Sequence, residues 1–277
     1  MRVILLKTVS NTIGKRFFAT QNVKKVTHCI FDMDGLLLDT ETVYKNMITQ
    51  ICAKYGHKYT EELMMKVLGG TEQRLAEILC KDLKLPISPK EFRDELLVLG
   101  DTMLANAPFL DGAEKLIRHL HKTKVPFALA TSSSERSVQT KVAAHKEVFG
   151  YFHHMVMGSS DPEVKFGKPN PDIFLVAASR FPDKPKPEKC LVFEDSPHGV
   201  TAGISAGMQV VMVPDAHLDK KLTKHATIVL PTLAKFQPEM QIIIAVLYKN
   251  YVHRIVNESA YFVSVTNHNN IFILLLL

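Results

Sequence analysis

The feature that most constrains the fold of this 277-residue chain is an alternation of short apolar segments with helical segments after residue 107. The apolar segments are rich in Val and Phe and are bounded by turn residues, which is typical of buried strands. The helical patterns between them are long enough to connect parallel strands by right-handed crossovers. We therefore predict an α/β fold with a doubly wound parallel sheet. Its predicted strands are residues 28–32, 125–131, 154–157, 189–194, 209–213 and 226–230.

A different pattern fills residues 40–107, between the first two predicted strands. The segments ELMMKVL, EQRLAEILCKDL and PKEFRDELLVLGDTML carry apolar residues at helical spacing, without a convincing strand between them. Another helix is predicted to begin at Asp39 or Thr40, which are residue types that cap helices. The Gly69-Gly70 pair and the segment LPISP separate these helices. We therefore predict a small all-helical unit inserted after the first strand.

Four of the predicted strands end on, or lead into, polar residues that the body of a buried strand would not hold. Because such folds bind ligands at the carboxyl ends of parallel strands, these residues should lie together. Carboxylates from two strands offer the oxygen ligands that Mg²⁺ prefers, and a lysine with hydroxyl and N–H groups can hold a phosphate. The pattern therefore indicates phosphoryl transfer. The residues are Asp32 and Asp34; Thr131, Ser132 and Ser133; Gly167, Lys168 and Pro169; and Glu194, Asp195 and Ser196.

Each of these residues also has a purely structural interpretation. Asp32 and Asp34 could be turn acids at a strand end, although neighbouring carboxylates repel each other without a cation. Lys168 could be a solvated loop lysine. Thr131 and Ser132 could cap the helix that follows them, and the acidic pair after the fourth strand could do the same for its helix.

The order of the motifs, FDMDG, a strand-terminal Thr-Ser, GKP and an acidic pair, resembles that of the haloacid dehalogenase-like hydrolase superfamily. The likeness covers residues 28 to about 238, and the segment LLLDTE is similar to the β-phosphoglucomutase-like branch. The resemblance implies a Rossmann-like core formed by residues 28–39 and 108–238. It also implies that residues 40–107 form the helical C1 cap of that family.

The resemblance implies a role for each core motif. Asp32 would be the nucleophile that forms an aspartyl-phosphate. Asp34 would donate a proton to the leaving oxygen and later accept one from water. The family's dehalogenases lack this second acid, because a halide leaves without a proton. The phosphoryl oxygens would be bound by Thr131, the Ser132 amide and Lys168.

Mg²⁺ is the cofactor that the resemblance implies. Its ligands would be the side chains of Asp32 and Asp195 and the backbone carbonyl of Asp34, with Glu194 as a further candidate. The metal would neutralise the negative charge that otherwise prevents a carboxylate from attacking a phosphate.

The motifs favour a phosphatase of this branch that hydrolyses a small nucleotide monophosphate. A sugar-phosphate mutase or sugar phosphatase of the β-phosphoglucomutase type is the first alternative, and an inactive binding relative is the second. The cap would select the substrate, and the residues expected to reach the closed site are Tyr44, Gly69, Gly70 and Arg74.

Charge and cysteine content limit the possible partners. The chain carries 34 Lys plus Arg against 28 Asp plus Glu, but residues 1–31 contain six basic residues and no acidic residue. The remainder is neutral, so we predict a small phosphorylated metabolite rather than a nucleic-acid polymer as partner. The apolar runs are shorter than the ~20 residues of a membrane span. Four cysteines without a CxxC pair favour a reducing compartment.

The basic leader, residues 1–27, has two interpretations. It is a disordered extension of a cytoplasmic protein, or it resembles an organelle transit peptide because it is basic, free of acids and contains Ser and Thr. In the second case, residues 1–31 would target the protein to mitochondria.

The apolar tail, residues 239–277, follows the point where the core pattern is complete. Its segment IIIAVLY is uncharged and prone to form β-structure, so it favours aggregation when exposed. We predict that a chain ending at Met240 keeps its turnover per folded molecule and aggregates less, as measured by phosphate release and light scattering. Unfolding or loss of activity on truncation would show that the tail packs into the domain.

Overall fold

A computed structural model describes residues 24–67 and 72–238, together with the backbone of residues 262–267 and 270–275. Its main feature is a sheet of six parallel strands, which confirms the predicted fold class. Each strand lies within two residues of its predicted bounds. The strands are His28–Phe31 (β1), Phe127–Thr131 (β2), Met155–Met157 (β3), Cys190–Glu194 (β4), Gln209–Met212 (β5) and Ile228–Val229 (β6).

The strand order β3-β2-β1-β4-β5-β6 places β1 in the middle of the sheet. The chain runs outward from β1 through β2 to β3 and then returns to β4 on the other side of β1. Phe31, at the end of β1, pairs with Leu129 of β2 and with Phe193 of β4. This register brings the ends of three strands to nearly the same level, at the point where the strand order reverses and ligands usually bind.

Nine α-helices occur within the described residues. The last five pack on the two faces of the sheet: one precedes β2, and the other four follow β2, β3 and β4. The first four lie between β1 and β2, where the all-helical unit was predicted. The helices are Thr40–Lys54 (α1), Glu61–Val67 (α2), Glu72–Asp82 (α3), Pro89–Met103 (α4), Ala113–Lys122 (α5), Glu135–Lys141 (α6), Lys146–Phe149 (α7), Asp172–Ser179 (α8) and Pro197–Ser205 (α9).

Aromatic side chains fill the core on one face of the sheet. The rings of Phe31 and Phe193, on neighbouring strands, stack with their centroids 4.4 Å apart. Phe127 meets Phe31 edge to face, and Phe236 does the same to Phe193. Burial of one such side chain stabilises the fold by about 1.5–3 kcal/mol. These contacts hold β1, β2 and β4 together directly beneath the residues that follow the strands.

The helical unit between β1 and β2 has a core of its own, to which Met47, Leu79 and Phe92 contribute buried side chains. Its first helix, α1, begins where the sequence predicts, because the Asp39 carboxylate accepts a hydrogen bond from the Thr42 amide. A capping box at Ser88 starts α4. The helices expected from apolar spacing are therefore present, and the function of the unit as a substrate-selecting cap stays a prediction.

One predicted helix is divided in the structure. The segment SERSVQTKVAAHKEVF reads as a continuous helix, but α6 ends at Lys141 and α7 begins at Lys146. A short 3₁₀ turn separates them, and it places the His145 ring 2.8 Å from the carbonyl oxygen of Ala107. This contact comes from a distant part of the chain, so local spacing gave no sign of the break.

The ends of the chain are only partly described. Phe262–Asn267 and Asn270–Leu275 form an antiparallel pair that is separate from the six-stranded sheet. The rest of the predicted tail and nearly all of the predicted leader lie outside the described residues. Within the described part of the chain, no helix combines the length and apolar character that a membrane crossing requires. All four cysteines are buried and free.

Candidate active site

The polar residues predicted to lie together do so at the carboxyl edge of the sheet. They surround a cavity of about 330 Å³, which is the size of a small-ligand site. The aspartates and the hydroxyl residues follow strand ends that the sheet register brings together, whereas Lys168 comes from the loop between β3 and α8. The lining residues are Asp32, Asp34, Thr131, Ser132, Ser133, Lys168, Asp195 and Ser196.

Three carboxylates form one cluster in this cavity. Asp32, Glu194 and Asp195 each place an oxygen so that these atoms lie within 4.8 Å of one another. The Asp32 amide donates to the carbonyl of Phe193 at 3.0 Å, which continues the pairing of β1 with β4 by one residue and sets Asp32 beside Glu194. Asp32 and Glu194 are buried, whereas Asp195 is half-buried.

Lys168 reaches into this cluster from the loop before α8. Its Nζ lies 2.5 Å from Asp32 Oδ1 and 2.6 Å from Glu194 Oε1, and it also donates to the carbonyl of Ala130 at 3.1 Å. Only 7% of its side chain is exposed. The interpretation as a solvated loop lysine is therefore wrong. The loop itself is held by Asp172, whose carboxylate accepts two backbone N–H groups just before Lys168.

Burial and mutual repulsion disfavour ionisation of the acids. Burial raises the pKa of Asp32 to about 7, and the charges of Glu194 and Asp34 act in the same direction while Lys168 opposes them. Burial also raises the pKa of Asp195 to about 9, with Asp32 and Glu194 adding to it. Burial alone would lower the pKa of Lys168, but the charges of Asp32 and Glu194 outweigh it and raise that pKa. One ammonium group thus does not balance the carboxylates.

This donor set fits a hard divalent cation. Carboxylate oxygens converge from two adjacent strands, and a cation of charge +2 would keep the acids ionised against the effect of burial. Glu194 is already engaged, because its Oε2 accepts hydrogen bonds from the Asp195 and Ser196 amides and its Oε1 accepts from Lys168. Asp32 and Asp195 have more capacity for a metal than Glu194, so they are the better candidate ligands.

Asp34 has a separate set of partners. Ser133 Oγ donates to Asp34 Oδ2 at 2.8 Å, and Thr131 Oγ1 lies 3.4 Å from the same oxygen. Lys141 Nζ lies 2.6 Å from Asp34 Oδ1, as an ion pair without the alignment of a hydrogen bond. The two aspartates therefore have different partners, although only one residue separates them.

Thr131 and Ser132 do not cap the helix that follows β2. Ser134 is the N-cap of α6, since its hydroxyl accepts from the Ser137 amide. Thr131 is buried and its Oγ1 accepts from the Ser133 amide at 3.1 Å. The capping interpretation of Thr131 and Ser132 is therefore wrong. After β4, in contrast, Ser196 does cap α9 through the Gly199 amide.

Two glycines leave room for the acids. Gly35 has φ +75°, and a Cβ there would lie 2.5 Å from Asp195 Oδ2. A Cβ on Gly199 would lie 1.8 Å from Glu194 Cδ. Both positions exclude larger side chains because a carboxylate of the acidic cluster occupies the space.

The predicted cap residues are only partly placed. Tyr44 on α1 is half-buried, and its hydroxyl donates to Glu72 Oε1 at 3.3 Å. Burial raises the pKa of Tyr44, and the negative charges of Glu72 and Asp34 act in the same direction. Arg74 is exposed on α3. Gly69 and Gly70 lie outside the described residues.

Sequence reasoning missed Lys141 and Gly199. Lys141 shares the buried face of α6 with Val138, three residues before it, while the exposed face of the helix carries its other polar residues. A lysine on an apolar helix face is a usable signal, because lysine is almost never fully buried without a partner. Gly199 gave no such signal, since its need for space depends on the rotamer of Glu194.

The chain belongs to the haloacid dehalogenase-like hydrolase family, whose pattern it matches over residues 26–207. It is 52% identical over 221 residues to a probable pseudouridine-5′-phosphatase of Drosophila melanogaster, covering 80% of this chain and 96% of that protein. It is also 42% identical over 217 residues to (DL)-glycerol-3-phosphatase 1, mitochondrial, of Arabidopsis thaliana, covering 77% of this chain and 72% of that protein.

Among solved structures, a putative β-phosphoglucomutase from Thermotoga maritima superposes with a TM-score of 0.67 at 27% identity. The superposition covers 83% of this chain and all of that one. The family and the branch that the motifs resemble are thereby confirmed. The phosphatase names of the sequence relatives also support the prediction of a phosphoric monoester hydrolase.

Replacement of Gly199 by Ala tests the packing beneath the site. The new methyl group would displace the Glu194 carboxylate and, through it, Lys168, so we expect phosphate release to fall by about 10²-fold. Gly167→Ala is the matched control, because nothing lies within 4 Å of a Cβ at that position beside Lys168. Equal activities of the two variants would contradict the role given to this contact.

Proposed function

We propose that the protein is a Mg²⁺-dependent phosphatase that hydrolyses a small nucleotide monophosphate, with pseudouridine 5′-phosphate as its substrate. The observation that carries this proposal is the meeting of two differently partnered aspartates, Asp32 and Asp34, with Lys168 in one cavity. The choice of substrate rests on the 52% identity to the Drosophila relative over almost its whole length.

In the first step, Asp32 attacks phosphorus. A bond forms between a carboxylate oxygen and phosphorus, and the bond from phosphorus to the ester oxygen breaks. Asp34 gives its proton to the departing oxygen, which leaves as the nucleoside hydroxyl. The product on the enzyme is an aspartyl-phosphate at Asp32.

In the second step, Asp34 takes a proton from a water molecule. The water oxygen bonds to phosphorus, the bond to Asp32 breaks, and inorganic phosphate leaves with the Asp32 carboxylate restored. The same residue thus acts first as an acid and then as a base, and its position beside the cavity supports both roles.

The charge of the transferred phosphoryl group requires neighbouring donors. We propose that these donors are Lys168, the Thr131 hydroxyl and the Ser132 amide. All three residues line the cavity. Asp32, Asp195 and the carbonyl of Asp34 would hold Mg²⁺, which would supply the remaining positive charge. Glu194 supports this arrangement mainly by orienting Lys168.

Two other activities are supported by the names of similar proteins. The Thermotoga neighbour carries the name of a β-phosphoglucomutase, which fits a sugar-phosphate mutase or sugar phosphatase. The Arabidopsis relative carries the name of a glycerol-3-phosphatase, so glycerol 3-phosphate belongs among the test substrates. An inactive binding relative is less consistent with the complete set of acids in the cavity.

We further propose that residues 28–39 and 108–238 form the catalytic core and residues 40–107 a cap that selects the substrate. A cytoplasmic location is proposed, with mitochondrial targeting by residues 1–31 as the alternative. A fluorescent reporter fused to these residues distinguishes the two locations.

A substrate panel with and without metal tests the proposed activity. Phosphate release should be fastest from pseudouridine 5′-phosphate, by about tenfold or more in kcat/KM over uridine 5′-phosphate, glycerol 3-phosphate and β-glucose 1-phosphate. Excess chelator should abolish it, Mg²⁺ should restore it, and Ca²⁺ should restore it poorly because Ca²⁺ prefers looser coordination. Full activity in chelator would contradict the metal site, and isomerisation of β-glucose 1-phosphate without release would favour the mutase.

Substitution of each aspartate tests the two roles. Asp32→Asn keeps the volume but removes the nucleophile, so turnover should fall by several powers of ten while the protein stays folded. Asp34→Asn should slow turnover by roughly 10²-fold or more, as for other lost acid–base groups. Asp94→Asn, at an exposed position on α4, is the control. An Asp32→Asn variant that kept a few per cent of wild-type turnover would rule out the covalent route.

A further inference from the structure

Lys141 is a buried cation that the proposed reaction does not use. It is the last residue of α6, and only 3% of its side chain is exposed. Its Nζ lies 2.6 Å from Asp34 Oδ1 and donates a hydrogen bond to Ser133 Oγ at 2.9 Å. The ammonium group therefore lies behind the cavity wall, with both of these partners in the wall itself.

This burial needs a reason beyond packing. A lysine at this position loses hydration and side-chain freedom that an apolar residue would not lose. Val138 on the same helix and Val142 directly after it show that apolar side chains suit this surface. What Lys141 has and valine lacks is a positive charge beside Asp34 and a donor to Ser133.

The contacts close into a triangle. Lys141 donates to the Ser133 hydroxyl, so the hydrogen of that hydroxyl is free to point to Asp34 Oδ2, to which it donates at 2.8 Å. Lys141 itself contacts the other oxygen, Oδ1. Both oxygens of Asp34 are thereby held, and the carboxylate is prevented from rotating about its side-chain bonds.

We infer that Lys141 is a positioning residue that, together with Ser133, fixes the orientation of the Asp34 carboxylate for proton transfer to the leaving group. This inference rests on the proposed phosphatase function. Lys141 does not line the cavity, and its polar contacts are to Asp34 and Ser133, so by this inference it acts through Asp34. Its effect should therefore depend on how much the leaving group needs a proton.

Two substrates of different leaving group test this inference. A nucleoside 5′-phosphate releases an alkoxide that needs a proton, whereas p-nitrophenyl phosphate releases a stable phenolate that does not. Lys141→Met should lower kcat/KM for the nucleotide by about tenfold or more and change it by less than about threefold for p-nitrophenyl phosphate. The constant kcat/KM is used because it reports the first phosphoryl transfer and excludes the later hydrolysis step.

Three further variants separate positioning from a structural role. Lys146→Met, at an exposed lysine on α7, should leave both rates unchanged. Ser133→Ala should show the same selective loss as Lys141→Met, so it serves if that variant fails to fold by circular dichroism. Lys141→Arg should recover part of the nucleotide activity because it restores the donor.

A double substitution tests whether Lys141 acts through Asp34. In an Asp34→Asn background, Lys141→Met should cost no further activity on the nucleotide. Equal losses on both substrates, or a full additional loss in the double variant, would overturn the positioning role while leaving the phosphatase function standing. Absence of phosphate release by the wild-type protein from either substrate would instead overturn the proposed function, and this inference with it.

Discussion

The rest of the site depends on the buried ammonium group of Lys168, which joins Asp32 after β1 to Glu194 at the end of β4. Loss of one partner from a buried ion pair typically costs 3–5 kcal/mol, because the remaining charge is left without compensation. The arrangement is nonetheless short of positive charge, since burial raises the pKa of Asp32 and Asp195 despite the lysine. The same interaction that stabilises the strand ends thus leaves a site that favours a divalent cation.

The two aspartates of the first motif pair with different lysines, Asp32 with Lys168 and Asp34 with Lys141. Asp32 faces Lys168 and the other acids of the cluster, whereas Asp34 faces Lys141 and the hydroxyls that follow β2. Residues two apart in an extended chain point to the same side, so the spacing of Asp32 and Asp34 would not by itself separate their surroundings. The separation comes from the different elements that flank β1, and it is what the proposed mechanism needs for one aspartate to act as nucleophile and the other as acid and base.

The helical unit between β1 and β2 is the part of the chain that we propose to select the substrate. It has a buried core of its own. Tyr44, on its first helix, lies close enough to Asp34 for the charge of that residue to affect the tyrosine's pKa. Relatives with different substrate names, a pseudouridine-5′-phosphatase and a glycerol-3-phosphatase, share most of this chain's length. This fits a common reaction centre with a variable substrate-binding surface.

The order of strands and helices, the parallel sheet and the strand-end positions of Asp32, Thr131 and Asp195 could be predicted from the sequence, because hydrophobic periodicity and polar strand ends are local signals. The GKP motif likewise marked Lys168 in the loop after β3. The break between α6 and α7, the rejection of Thr131 as a helix cap, and the partners of Lys141 could not, because each depends on contacts with residues distant in the chain. The sequence by itself determined which chemical groups reach the carboxyl edge of the sheet. Only the tertiary structure decided which lysine pairs with which aspartate, since ion pairs between elements depend on side-chain reach and register rather than on spacing along the chain.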